Sequence, residues 1–289
     1  MPTPAPLAAP VIIQVENLNG ARPQSGISDA ELVYEYETEG GISRFSSFFF
    51  HTPSSQVGPV RSARLVTIKL DKTYNGTLMY SGASQYVNQQ LAANGVRFYS
   101  EGSGALFRIT SRYAPHNLYT DTTHVQGLLN QVNPPVAGYS LWDRTTIAAL
   151  PPGGAAAARV TVPVSASEQP IFTYDPASGT YTRTEQDTGT FVDAATGNPW
   201  HIGTVVVLHV PIVLGPEEED VSGTHGLDHT IAGNGPAEVF VGGQWYGATF
   251  HQGPSGPPAL TLLNGVPAPI AGGPVLIVLT RVGADPRIG

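Results

Sequence analysis

The sequence predicts an α+β protein of two domains, in which a mixed α/β N-terminal domain precedes an all-β C-terminal domain folded as a meander or barrel-like sheet. The first observation is composition: 33 Gly and 26 Pro among 289 residues favour turns and exclude a long helical bundle. The second is hydropathy: 41% hydrophobic residues are too many for a disordered chain. The third is patterning, because helical periodicity occurs only in the first half and strand-like runs occur in both.

The distribution of charge also separates the first half of the chain from the second. Residues 1–150 hold ten basic and ten acidic groups, whereas residues 151–289 hold four Arg and twelve acids, so the net charge of −8 belongs to the second half. The run LPPGGAAAAR at 150–159 has the composition of a linker. We therefore place a domain boundary near residue 155, with an N-terminal domain at 11–150 and a C-terminal domain at 159–283.

The elements of the first domain follow from local patterns. Residues 11–15 form a short apolar run, and 32–37 alternate before two glycines and the aromatic run 45–50, which predicts a hairpin. Two further apolar runs predict strands at 65–70 and 77–80. Helices are expected at 84–94, which ends in Asn-Gly, and at 123–132, which ends before two prolines.

The second domain contains β-branched and aromatic runs separated by turn residues. The loops 175–179 (DPASG) and 193–197 (DAATG) share one pattern that is typical of five-residue hairpin turns. Further strands are predicted at 159–164, 205–210, 237–241, 245–250, 260–263 and 275–282.

Several classes of function are disfavoured. The acidic balance and the lack of a basic stripe argue against nucleic-acid binding. There is no cysteine, hence no disulfide or thiolate site, and no apolar run reaches the length of a membrane span. The first ten residues resemble a Pro/Ala linker rather than a signal peptide. No nucleotide, metalloprotease or serine-hydrolase motif occurs, so we expect no cofactor.

One stretch offers potential metal ligands: His225, Asp228 and His229. Glycines within and around it favour a loop or a strand over a helix, and we take a solvated loop as the default. We therefore expect no metal site.

The N-terminal loops are rich in Gly, Pro and Arg, a common way to build an anion cradle from guanidinium groups and backbone N–H groups. His116 and Glu39 are candidate proton carriers, with Ser62 and Ser81 as conceivable nucleophiles. The alternative is that each Arg pairs with a surface Glu and that no ligand is involved.

The same loops carry a family resemblance. The run ENLNGARPQSGISDAELVYEYETEGGISRF, then GPVRSAR, then RYAPHNLYT closely resemble the YerB-like family of bacterial lipoproteins over residues 11 to about 130, with a looser likeness over 160–282. The resemblance implies an extracytoplasmic protein held at the cell membrane by a lipid on an N-terminal cysteine. This chain contains no cysteine, so we expect the anchored segment to be either removed from this chain or absent. The family's biochemical role is not established, so no activity is implied.

If these motifs mark a site, it comprises two candidate catalytic residues and seven candidate ligand-binding residues: Glu39 and His116; Arg22, Arg44, Arg61, Arg64, Arg112, Asn117 and Tyr119.

Three functions stay open. The leading one is a non-catalytic cell-envelope module that binds an anionic group of a cell-wall glycan, a peptide or an envelope protein in an Arg-lined pocket. The second is a hydrolase or transferase acting on an envelope polymer, with Arg residues stabilising developing negative charge. The third is a structural partner in an envelope assembly.

Overall fold

The fold is organised around one mixed sheet of eleven strands, to which both halves of the chain contribute. The computed structural model describes residues 9–122, 141–219 and 223–289. The strands of the first half are β1 (Val11–Glu16), β2 (Leu32–Glu37), β3 (Ser43–Phe49), β4 (Thr77–Met79), β5 (Phe98–Tyr99), β6 (Leu106–Arg108) and β7 (Leu118–Thr120). Those of the second half are β8 (Ala155–Ala156), β9 (Arg159–Thr161), β10 (Ile171–Asp175), β11 (Thr180–Glu185), β12 (Gly189–Thr190), β13 (His201–Ile202), β14 (Thr204–Val210), β15 (Ile212–Glu218), β16 (His225–His229), β17 (Gly233–Val241), β18 (Gln244–Gln252), β19 (Ala259–Leu262), β20 (Val275–Arg281) and β21 (Arg287–Ile288).

The central sheet has the order β19-β18-β17-β14-β20-β2-β3-β1-β4-β5, with β8 added beside β18. Its two halves join where β2 runs parallel to β20, with Leu32 opposite Val275 and Tyr36 opposite Leu279. Both strands are buried along almost their whole length, as expected for strands covered on both faces. The join is therefore part of the hydrophobic core.

Alternation along the strands sends side chains to two separate layers. On one face, Tyr34 and Phe48 pack with two α-helices, α1 (Leu65–Tyr74) and α2 (Gln85–Ala93). On the other face, Val33 and Phe45 pack against an antiparallel sheet of β9 to β13 and β21. Two small hairpins, β15–β16 and β6–β7, complete the strands. Short 3-10 helices lie at Asn19–Ala21, Ile27–Asp29, Glu39–Gly41 and Ile147–Ala149.

The predicted fold class is wrong: the described part of the protein is mostly β, with several sheets and only two α-helices, so there is no substantial α/β N-terminal domain. The second half is also no simple meander, because β14 and β20 are parallel neighbours. The physical reason is that strands from both halves bury their apolar faces in a common sheet. The helices only cover part of it.

The segment 65–70, predicted as a strand, is helical. Seven of the ten residues of α1 are buried, including the polar Thr67 and Asp71, so apolar and polar residues alternate over 66–71 as they would in a strand. The helix ends at Asn75, which adopts the left-handed conformation (φ 51°) that asparagine tolerates.

Other element predictions are confirmed. β1, the β2–β3 hairpin, β4 and α2 lie where the patterns placed them, and Ser84 caps α2 by accepting a hydrogen bond from the Val87 N–H. The 175–179 loop joins β10 to β11 as a hairpin. The helix expected at 123–132 lies outside the described residues, and the boundary near residue 155 stays a prediction. Among the described residues, no helix has the length and apolar character that a membrane crossing needs.

Candidate ligand-binding site

Three of the predicted arginines come together at one end of the central sheet. Arg44 lies in β3 directly opposite Glu16 of β1, while Arg61 and Arg64 belong to the segment that leads into α1. The turn between β2 and β3 places Glu39 beside them. Backbone pairing holds Arg61 against β1, because its N–H donates to the Gln14 carbonyl. Guanidinium groups that are far apart in sequence therefore share one site.

Glu39 lies between two of these guanidinium groups. Its Oε1 accepts from Arg44 Nη2 at 3.1 Å, its Oε2 accepts from Arg64 Nε at 2.8 Å, and Arg64 Nη2 makes a further short contact with Oε1. Burial acts to raise the pKa of Glu39, but the bond to Arg64 and both positive charges outweigh it and lower the pKa to about 2. A carboxylate held this strongly ionised is a poor general acid near neutral pH.

The positive charges also influence one another. Burial lowers the pKa of Arg44 to about 10, and the charges of Arg64 and Arg61 act in the same direction, against the opposing effect of Glu39. Arg44 and Arg64 are each about 5% exposed, and Arg44 Nη1 donates to the Ser62 carbonyl at 3.0 Å. These two side chains form the buried floor of the site.

Arg61 and His116 form its more open side. Both contact the buried carboxylate of Glu16, Arg61 through Nε at 3.1 Å and His116 through Nδ1 at 2.8 Å. Their side chains are 28% and 24% exposed. Apart from the ion pair of its buried Nε with Glu16, the Arg61 guanidinium donates no hydrogen bond to a described residue. Arg61 therefore has donors to offer to a ligand.

A third carboxyl group completes the cluster. Glu219 Oε2 lies 3.5 Å from Arg64 Nη1. Burial raises the pKa of Glu219 to about 7, and although Arg64 opposes this, the negative charges of Glu39 and Glu217 add to it. Near neutral pH this group is partly protonated. The cluster therefore holds three guanidinium groups beside the carboxyl groups of Glu16, Glu39 and Glu219, and Glu217 lies close to Glu219.

The other predicted residues do not join this cluster. Arg22 points towards the second half, where it contacts Glu168 at 2.9 Å and Asp187 at 2.6 Å. Arg112 donates to the carbonyls of residues 20, 22 and 23 and to the buried Tyr119 hydroxyl. Asn117 accepts from Arg108 at 2.5 Å. Arg22, Arg112, Asn117 and Tyr119 thus hold loops in place.

A cleft lies beside Arg22. Its volume is about 230 Å³, and its lining consists of Arg22, Pro23, Gln24, Thr188, Thr190, Phe191 and Val192. Arg44, Arg61 and Arg64 are not among the lining residues. The site around Arg61 is therefore a partly exposed cluster of side chains and not this cleft.

A nucleophile is not paired with either candidate proton carrier. Among the hydrogen bonds of the described residues, none joins His116 or Glu39 to the hydroxyl of Ser62 or Ser81. His116 is instead paired with Glu16.

The predicted loop at 225–229 is wrong, because these residues form β16. Asp228 pairs with Lys69, and His225 Nδ1 lies 3.0 Å from the Gly215 carbonyl oxygen. His229 is fully buried against the ring of Tyr36, and burial lowers its pKa to about 3. The three side chains have separate partners or surroundings and do not converge.

Sequence reasoning missed Glu16 and Glu219 as members of the cluster. Glu16 could be found only if the pairing register of β1 and β3 were known, because Glu16 lies opposite Arg44 across that pair. Glu219 belongs to an acidic run that looks like a solvated surface. Its approach to Arg64 depends on the packing of β16 against α1.

Comparison with known proteins supports one family assignment across both halves. Residues 3–134 match the model described as "Protein of unknown function (DUF3048) N-terminal domain", and residues 160–277 match the model of the DUF3048 C-terminal domain. The chain is 36% identical over 140 residues to "Putative lipoprotein YerB" of Bacillus subtilis (strain 168), an alignment that spans 47% of this chain and 40% of that relative.

A solved structure has the same fold. The crystal structure of YerB protein from Bacillus subtilis superposes with a TM-score of 0.78 at 23% identity, covering 98% of this chain and 94% of that one. With both of its halves matched in order and the fold shared along nearly the whole chain, the protein belongs to the YerB-like family defined by the DUF3048 N- and C-terminal domains.

Proposed function

We propose that this protein is a non-catalytic binding module of the bacterial cell envelope. It acts outside the cytoplasm, anchored by lipid in its full-length precursor, and binds an anionic group of a cell-wall glycan, a cell-wall peptide or an envelope protein. The name of the relative, a lipoprotein, supports the location. The single observation that carries the binding role is Arg61: its side chain is partly exposed, is close to Arg44 and Arg64, and has only its Nε engaged, in an ion pair with Glu16.

The chemistry of the cluster suits a carboxylate or a phosphate. A guanidinium keeps its charge at any physiological pH and presents its donors in a planar fork that matches either group. Arg44 and Arg64 are already held by Glu39, so they supply a fixed positive field, and Arg61 supplies free donors. His116, on the same open side of the cluster as Arg61, adds a further hydrogen-bond donor or acceptor.

Calorimetric titration tests this proposal. The probes are a soluble peptidoglycan fragment with free carboxylates, a glycerol-phosphate oligomer, and a neutral glycan of similar size. We expect one or both anionic probes to bind and the neutral glycan not to bind. Arg61→Ala is expected to weaken binding about tenfold or more, because hydrogen bonds to charged groups contribute about 1.5–3 kcal/mol.

Arg287→Ala is the matched control, since Arg287 is exposed and donates to Gln169 away from the cluster. Equal affinity of Arg61→Ala and the unmodified protein for every probe would refute the proposal. Turnover of a cell-wall polymer that disappears in His116→Ala would favour a hydrolase or transferase instead.

A further inference from the structure

Three potential metal ligands that are distant in sequence lie together in the second half. His209 belongs to β14, Glu238 to the adjacent β17, and Asp285 follows β20, which flanks β14 on its other edge. One ligand atom from each lies within 4.8 Å of the others. Imidazole nitrogens and carboxylate oxygens are ordinary zinc ligands. We propose that His209, Glu238 and Asp285 bind a zinc ion.

Neighbouring side chains orient two of these ligands. The Thr280 hydroxyl lies 3.1 Å from His209 Nδ1, which leaves Nε2 to face Glu238. Trp245 Nε1 donates to Glu238 Oε2 at 2.5 Å, which leaves Oε1 to face His209. Partners of this kind fix the ring orientation and the carboxylate in known metal sites.

The spacing of the two oriented atoms suits a shared ion. His209 Nε2 and Glu238 Oε1 are 3.1 Å apart. Two ligands at 2.0–2.1 Å from a tetrahedral zinc ion are separated by about 3.3 Å. The ion can therefore take the place of the proton between them with small movements of both side chains.

No lysine or arginine of the described residues balances the charges of the two carboxylates. Within the described ranges, neither Glu238 nor Asp285 forms an ion pair with a Lys or an Arg, and the nearby Arg281 is paired with Glu37. Two carboxylates beside one imidazole favour a divalent cation.

The ligands open into a cleft of about 300 Å³. Its walls include Leu263 and Val282, which are 77% and 64% exposed. A zinc ion held by three protein ligands at the edge of this space keeps a fourth position for water or a small ligand. The site therefore resembles open zinc sites more than closed structural ones.

Zinc binding to the untagged full chain tests the proposal. After treatment with chelator, the protein is titrated with Zn²⁺ in competition with a chromophoric indicator, and with Co²⁺ to record the absorption of a tetrahedral ion. We expect one ion per chain. His209→Ala, Glu238→Gln and Asp285→Asn should each weaken affinity at least tenfold, and Trp245→Phe about tenfold through the lost orientation of Glu238.

His225→Ala is the control, because it removes an exposed histidine outside the cluster. Asp285→Asn alters an exposed side chain outside the strands. It can therefore still test zinc binding if a variant of His209 or Glu238, which lie in strands, fails to fold. Absence of zinc binding, or unchanged affinity in both Asp285→Asn and His209→Ala, would overturn the proposal. So would loss of binding in His225→Ala with retention in His209→Ala.

Discussion

Arg183 shows how a single residue connects the two layers of the fold. Its side chain is fully buried, its Nη2 donates to Glu35 at 2.8 Å, and its Nε donates to Glu185 at 2.6 Å. The ring of Phe45 lies 5.1 Å from the guanidinium carbon. Burial alone would lower the pKa of Arg183, but the two carboxylates raise it. The charge is therefore stable only because β2 and β11 each supply a partner.

Replacing this residue should be severe. Arg183→Met leaves the Glu35 carboxylate buried without its cation and leaves Glu185 with only the more distant Arg22 at 3.7 Å, and breaking a buried ion pair costs about 3–5 kcal/mol. We expect a loss of that size in the free energy of unfolding measured with urea. The control, Arg287→Met, changes an exposed arginine, so its free energy of unfolding should stay within about 0.5 kcal/mol of that of the unmodified protein. A similar small loss in both variants would contradict the structural role of Arg183.

At the scale of elements, α1 carries a buried acid on its packed face. Asp71 is 5% exposed, and its Oδ1 has no hydrogen-bond partner among the described residues. Burial raises the pKa of Asp71 to about 7, although Arg97 and Lys72 oppose this. The folded state thus holds a proton that the unfolded chain releases at lower pH, and α1 is destabilised when this carboxyl ionises.

The sign of the pH effect follows. Between about pH 4 and pH 7 the folded state binds more protons at Asp71 than the unfolded state, so the stability contributed by this group falls as pH rises and is constant above pH 7. Asp71→Asn removes this dependence, which amounts to at most about 4 kcal/mol. Urea unfolding at pH 5 and pH 8 tests this prediction. The free energy of unfolding of Asp71→Asn, relative to that of the unmodified protein, should be higher at pH 8 than at pH 5. If the variant and the unmodified protein differed in unfolding free energy by the same amount at pH 5 and pH 8, the raised pKa of Asp71 would be contradicted.

At the scale of the molecule, the two halves share one sheet and several polar contacts. β2 pairs with β20 along five residues, and Asp193 accepts hydrogen bonds from the backbone N–H groups of Gly26 and Ser28. Arg22 adds its ion pairs with Glu168 and Asp187. Separating the halves would expose the edges of two buried strands and leave these groups without partners.

We therefore expect the halves to unfold together. Differential scanning calorimetry should record one transition whose calorimetric and van't Hoff enthalpies agree. Residues 1–150 produced alone should lack that transition, because β2 loses β20 as a neighbour and Glu35 loses Arg183. Two well-separated transitions in the full chain would instead show that each half is stable by itself.

Local patterns predicted the elements whose apolar residues face one side. The alternation in 32–37 and the aromatic run after it identified the β2–β3 hairpin, and Asn-Gly identified the end of α2. The same reasoning mistook α1 for a strand, because the polar Thr67 and Asp71 are buried in this helix and apolar and polar residues alternate over 66–71. The fold class was missed for a related reason: nothing local indicates that β2 and β20, far apart in the chain, lie side by side.

The candidate site divides in the same way. The sequence alone placed Arg44, Arg61 and Arg64 among the candidates, since Gly, Pro and Arg concentrate in the N-terminal loops that carry the family resemblance. Which of them act together was decided only by tertiary structure: Arg44, Arg61 and Arg64 meet through strand register and the start of α1, whereas Arg22 joins the second half. The reason is that a guanidinium is satisfied by any carboxylate within about 3 Å, and that distance is set by packing between segments that sequence leaves unconnected.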